Sequence, residues 1–319
     1  MKLKSKGTVN GKVLLILIFS FYFYASKAQQ TPLGSLSYWV FSPYIYNPAM
    51  VGSKDFLSIG INAAFQGESN SQLISGNTRI SRTNSGYFSS PEITEFKNTG
   101  IGASAFKDII GSSKDYGLSL SGSYQIPMST HQLSFLSFGL SLKAGNYART
   151  TEPNEIKKKF SPNMDLGIYY YGTNFFTGIS SINLLGNPWG NDSLGILNAP
   201  VSREYFFTSG LKILLSKSMN IVLEPSLLIS STDSTFNKIK DNIRPIIKLY
   251  LDDFCLGTSF HNHGKVSFFI QYRYPQFYVG AFYELANKTA YYKNKPLVEF
   301  TLGLNLQSDK SRFANHSHW

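Results

Sequence analysis

The residues best able to do chemistry are few and scattered. Five histidines occur in 319 residues, and two of them, His261 and His263, stand two apart in a Phe-His-Asn-His-Gly stretch. A zinc-type site needs three or four ligands gathered around one ion, and no Cys or Glu lies near this pair to complete the set. His316 and His318 fall in a polar tail that reads as a disordered end. Acyl transfer needs a nucleophile, a histidine and an orienting acid or amide converging in space. Asp252 and Asp253 precede His261, but the strand expected between them puts aspartates and histidines at opposite ends. Cys255, the single cysteine, has no internal disulfide partner and reads as a lone thiol in an apolar strand. The run Lys157, Lys158 and Lys159 reads as an external loop, solvated or drawn to lipid phosphates. No catalytic residue, metal site or cofactor is called for, and the chain reads as a non-enzyme.

A larger set of ionisable groups shares the polar face of alternating segments. Lys143, Lys212, Arg244, Lys248 and Arg273 stand there with Asp165, Glu224, Glu284 and Glu299. The mixed signs predict ion pairs that partly fill an enclosed interior, against the competing reading of charges that merely solvate a water-filled one. Facing lipid, each Lys or Arg near the midplane would cost about 2–4 kcal/mol, which assigns them inward.

The elements that carry these residues are set by period-2 alternation, which puts successive side chains on opposite faces of a strand. From Tyr116 to Ile126, Tyr116, Leu118, Leu120, Tyr124 and Ile126 oppose Gly117, Ser119, Ser121, Ser123 and Gln125. Val298, Phe300, Leu302, Leu304 and Leu306 likewise oppose Glu299, Thr301, Gly303, Asn305 and Gln307. Large apolar residues on one face and small polar ones on the other is the pattern of a barrel in lipid; a soluble sandwich would carry charge on its outer face. Such segments recur near 56–66, 72–82, 99–108, 115–126, 133–146, 163–172, 175–183, 204–215, 219–230, 243–251, 254–261, 265–273, 276–284 and 297–307. The expected fold is all-β: a transmembrane, antiparallel, up-and-down barrel of about 14 strands, an even number as bacterial barrels require.

The ends of the chain set its compartment. Lys2, Lys4, Lys6 and Lys12 precede an apolar run from Val13 to Tyr24, and Ser26-Lys27-Ala28 supplies small residues where a signal peptidase reads them. Cleavage is expected after Ala28. Removal of residues 1–28 takes five lysines and no acid from 30 basic and 19 acidic residues, so the net charge of +11 falls to +6. The remaining basic residues are dispersed and match no nucleic-acid recognition motif. The expected organisation is a signal peptide at 1–28, a periplasmic or plug segment at 29–54, the barrel at 55–307 and a polar tail at 308–319. Links after the sixth, eighth, tenth and twelfth segments are tight, while those after the fifth, seventh, ninth and thirteenth run from 12 to 20 residues. Because such barrels have short periplasmic turns and longer external loops, both termini should face the periplasm. The segment 83–98 is the exception, long but periplasmic.

Near the mature start, Ser42-Pro43-Tyr44-Ile45-Tyr46-Asn47-Pro48-Ala49-Met50-Val51-Gly52-Ser53 precedes the first strand. It resembles the opening "F-N-x-x-x-x-N-P-A-x-x-G" segment of the PorP/SprF family of Bacteroidota. The likeness continues through Gly100-Ile101-Gly102, Phe138-Gly139-Leu140-Ser141-Leu142-Lys143-Ala144-Gly145, Pro162-Asn163 to Gly167-Ile168-Tyr169-Tyr170-Tyr171, and Gly178-Ile179-Ser180. Ser42-Pro43 departs from the family's usual Asn. The resemblance implies membership in the type IX secretion and gliding-motility machinery of the outer membrane. There such barrels support export or surface attachment of particular cargo or adhesins and contact periplasmic lipoproteins.

Two functions follow as expectations: a non-enzymatic component of that machinery, or a general porin or small-solute channel. Trp39, Phe41, Tyr44, Tyr46, Asn47 and Pro48 are the expected partner-docking residues. Exposed Trp and Tyr are the side chains that most often anchor interfaces, and 31–53 and 83–98 are irregular segments on a face that ordinarily has only tight turns. The competing accounts place the rings in the barrel mouth as a plug or against headgroups as a girdle. Asn-Pro and Gly-Ser also read as a turn that launches the first strand.

Overall fold

The computed structural model describes residues 39–53, 56–82, 97–110, 113–128, 134–151, 155–185, 203–231, 243–261, 265–274, 276–285 and 295–306. The expected signal peptide, the expected polar tail, His263, His316, His318 and 83–96 lie outside the described residues. The strands are β1 (Leu57–Gln66), β2 (Ser69–Arg82), β3 (Lys97–Ile110), β4 (Ser113–Pro127), β5 (Phe135–Thr151), β6 (Glu155–Tyr171), β7 (Phe175–Ile182) and β8 (Glu204–Leu211). They continue with β9 (Ile213–Ser216), β10 (Ile221–Ser231), β11 (Ile243–Leu251), β12 (Phe254–His261), β13 (Lys265–Tyr274), β14 (Phe277–Glu284) and β15 (Leu297–Leu306). Apart from β8 and β9, neighbours in the chain pair antiparallel, and β1 pairs with β15 in register from Leu57↔Leu306 to Phe65↔Val298, which closes the sheet. β8 and β9 are two pieces of one barrel strand, both paired to β10, so the closed barrel has 14 strands.

The alternation read from sequence is the alternation of lipid face and lumen. On β4, Leu118 and Leu120 are 63% and 68% exposed while Ser119 and Ser121 are 8% exposed. An exterior of Ile, Leu, Phe and Tyr with an interior of Ser, Gly and Asn is stable only in hydrocarbon, where closure also leaves no sheet edge among paired strands. This is the architecture of an outer-membrane barrel.

Two expectations are corrected. The link after the fifth strand is not a long loop: β5 runs to Thr151 and β6 starts at Glu155, so only 152–154 separate them. Lys157, Lys158 and Lys159 therefore lie in β6, opposite Arg149, Ala148 and Tyr147. The ladder needs only backbone groups, so a hairpin can continue past the apolar belt with polar side chains, and period-2 apolarity does not mark its end.

The expected strand at 204–215 breaks at Lys212. Pairing of β10 to β8 begins at Ser226↔Gly210, and pairing to β9 covers Ile221 to Leu223, so Glu224 and Pro225 fall between the two ladders. Pro225 has no N–H to give to a ladder. On its other side Lys212 N–H still donates to Asn174 O, ahead of β7, at 2.8 Å.

Candidate functional site

The chain from Trp39 to Ser53 lies inside the barrel, near the end where β1 begins and β15 finishes. Its shape follows from local sequence. After one helical turn at 39–41, Ser42-Pro43 and Asn47-Pro48 open two 3-10 turns, Pro43–Ile45 and Pro48–Met50. Proline at the first position of a turn loses no useful donor, and Asn47 caps the second by accepting from Ala49 N–H at 3.0 Å. Gly52 then takes a φ of 65°, which costs a glycine little, and turns the chain toward β1.

One wall of the lumen grips this plug by hydrogen bonds. Ser180 Oγ donates to Tyr46 O at 2.5 Å and Ser137 Oγ to Ala49 O at 2.6 Å. Ser123 Oγ donates to Val51 O at 2.6 Å, and Gln125 Nε2 reaches Val51 O and Gly52 O at 3.2 and 3.1 Å. Arg79 Nε donates to Gly52 O at 2.7 Å and its Nη2 to Ser53 O at 3.3 Å. In return Asn47 Nδ2 donates to Ile168 O and Ile179 O at 3.2 and 3.4 Å, and Tyr44 Oη to Ala103 O at 3.1 Å. Burial pushes the Tyr44 phenol above its ordinary range, so it stays protonated and donating. Every wall partner named here lies on β2–β7.

The same wall is bare where the plug comes closest. A Cβ on Gly139 would overlap Ala49 N and Pro48 C, and one on Gly167 would overlap Asn47 Oδ1. The short segments that carry the family resemblance, far apart in sequence, thus converge on the stretch from Tyr46 to Val51.

The opposite side of the plug is apolar. Trp39, Val40, Phe41 and Tyr46 join Phe206, Phe269, Phe282, Ile246 and other inward residues in one buried cluster, with the Tyr46 and Phe206 rings 5.0 Å apart. Full burial of such side chains contributes about 1.5–3 kcal/mol each, more than the roughly 1 kcal/mol net of each hydrogen bond. A void of about 40 Å³ remains between plug and wall beside Ser42, Tyr44, Gly60, Ser75 and Tyr278, room for a few waters.

This corrects the expected exposure of the docking residues. Trp39, Phe41, Tyr44 and Tyr46 are 4–8% exposed, and Asn47 and Pro48 are buried. The rings gain more from the apolar wall than from water, and the phenylalanines of that wall come from strands more than a hundred residues away. The aromatic content of the segment was visible in sequence; the mould that receives it was not.

The charges sit on the inward face, mostly in pairs. Lys143 Nζ meets Asp165 at 2.8 Å and Lys248 Nζ meets Glu224 at 2.9 Å. Tyr250 Oη also donates to Glu224, at 3.3 Å. Glu284 pairs at 3.0 Å with Lys265, a partner the sequence reading missed because it stands at a strand end beside a hairpin. Arg244 is buried within electrostatic reach of Glu284 and of Glu204, the latter also unanticipated. Lys212 Nζ donates to Tyr171 Oη at 2.7 Å, Arg273 Nε to Gln271 Oε1 at 3.0 Å, and buried Glu299 accepts from Asn62 Nδ2 at 3.2 Å.

Cys255 is buried in the lumen cluster. Asp252-Asp253 form the turn before β12 and His261 ends that strand, so the two are held at opposite ends of the barrel.

The structure is similar in shape to several solved outer-membrane barrels. They include a toluene transporter, TbuX of Ralstonia pickettii (8% identity, TM-score 0.45, 82% of this chain and 92% of that one) and the KdgM porin in complex with oligogalacturonate (10%, 0.37, 78% and 99%). Outer membrane phospholipase A of Escherichia coli is another (9%, 0.31, 82% and 93%). These likenesses are too distant to bear on function. No curated protein matches the chain. The family model described as type IX secretion system membrane protein PorP/SprF matches residues 26–304, and the chain belongs to that family.

Proposed function

We propose that this barrel is a non-enzymatic outer-membrane component of the type IX secretion and gliding machinery that supports export or surface attachment of specific cargo or adhesin proteins. In this reading its termini face the periplasm, where it meets periplasmic lipoproteins, and its exterior contacts outer-membrane lipids. The observation that favours assembly over a porin is the plug: the chain's own residues 39–53 cross the lumen and are gripped from both walls, leaving the rims and the exterior as working surfaces. Partner docking is then a property of the rim beside the plug and not of Trp39, Phe41, Tyr44 and Tyr46 directly.

The test is a clean deletion complemented in trans. Loss of particular secreted or surface-attached proteins, with unchanged uptake of small sugars and antibiotics, supports the reading. Normal secretion with impaired solute uptake would replace it by the porin.

A further inference from the structure

The contacts around residues 39–53 have the form of peptide recognition. Ser180, Ser137, Ser123, Gln125 and Arg79 capture carbonyl oxygens of Tyr46, Ala49, Val51 and Gly52, so the side chains of the wall bind the segment through its backbone, while Tyr44 donates back to Ala103 O. Gly139 and Gly100 let that backbone lie against the strands where any side chain would exclude it, and Gly167 makes room for the Asn47 side chain. Asn47 is the one amide side chain of the segment that answers, and it reaches carbonyls of two different strands, at Ile168 and Ile179. From across the lumen, Phe206 and Phe282 join Trp39, Phe41 and Tyr46 in one buried cluster, with Phe206 against Tyr46. A gate must exchange its contacts for water at low cost. Here the polar holds could be replaced by water, but the aromatic cluster could not, and the two holds act on the same short segment from opposite sides.

We propose that the inner wall of β2–β7 is an intramolecular peptide-binding site and that residues 39–53 are its permanent ligand, a brace across the lumen and not a gate. No solute or polypeptide then passes through this barrel while it is folded. The inference does not depend on the secretion role and can fail separately from it.

Hydrogen exchange read by mass spectrometry on the full mature protein in detergent micelles tests it. The amides of Met50, Val51 and Ser53 bond within the plug, to Asn47 O, Pro48 O and Met50 O, and Gly52 N–H bonds to Asn77 Oδ1 on β2. In a brace these amides open only with the barrel, so peptides spanning 39–53 should exchange as slowly as those of β4 and β5. Exchange more than about 100-fold faster than in those strands, at a temperature where the strands stay protected, would overturn the proposal. A second measurement uses Gly139→Val, which puts a side chain where Ala49 and Pro48 lie. The brace predicts loss of the heat-resistant, fast-migrating form on gels. A variant that keeps that form and passes a steady ohmic current in a planar bilayer, where wild type is silent, shows a plug that can leave, and sinks the idea.

Discussion

At the scale of single residues, the glycines separate mould from filler. Gly167 faces Asn47, whereas an added Cβ on Gly122 would find its nearest neighbour, Gly100 O, at 4.0 Å. Gly167→Ala should therefore destabilise by about 1–3 kcal/mol through forced displacement of a packed neighbour, while Gly122→Ala should fall within about 0.5 kcal/mol of wild type. Denaturant titration of both variants in micelles, followed by tryptophan fluorescence, checks the pair. Tyr44 gives a pH signature. Its phenol is held above the ordinary value of 10.0 by burial, so the unfolded chain loses that proton first. The stabilisation is complete below pH about 10 and falls as pH rises beyond it. Tyr44→Phe should lower stability at neutral pH yet show a shallower decline above pH about 10, and a parallel decline in the two proteins would reject the assignment.

At the scale of elements, the strands were legible because alternation is imposed by lipid on one face and packing on the other. Tyr116 to Ile126 reads as β4 from its side chains alone. What escaped was set by other things: the continuation of β5 and β6 past the apolar belt by backbone pairing, the break at Lys212 by the missing N–H of Pro225, and the seat of Asn47 by strands remote in sequence. The inward charges were legible as a class, since their residue types fit only one face, but their partners depend on cross-strand register. Glu224 and Lys248 stand directly opposite on β10 and β11. With side chains 6% and 13% exposed, removal of one partner leaves the other uncompensated. Lys248→Ala should cost about 3–5 kcal/mol, and the double change Glu224→Leu with Lys248→Met should recover most of it, as read by thermal migration shifts on gels.

At the scale of the whole molecule, orientation is the expectation most directly open to test. In a Cys255→Ser background, a cysteine at Asn191, in the long connection after β7 and outside the described residues, should be labelled on intact cells by a membrane-impermeant maleimide. A cysteine at Thr173, in the tight turn between β6 and β7, should be labelled only after the outer membrane is permeabilised. The reverse pattern would invert the barrel and move the plug to the external mouth.

The unequal grip on the plug also has a consequence in time. Its hydrogen-bonding wall, β2–β7, follows it directly in the chain, whereas the phenylalanines of the aromatic wall come from β8, β13 and β14. An open sheet of the first seven strands already offers Arg79, Gln125, Ser137 and Ser180 to the segment just ahead of it, so the stopper can be seated while the cylinder is still a trough. In that order of assembly the later strands would close over a loaded cradle, with their phenylalanines arriving last as β15 meets β1. A barrel that had to thread its plug through a finished mouth would have to strip water from the whole lumen in one step; this one can dry its interior a strand at a time.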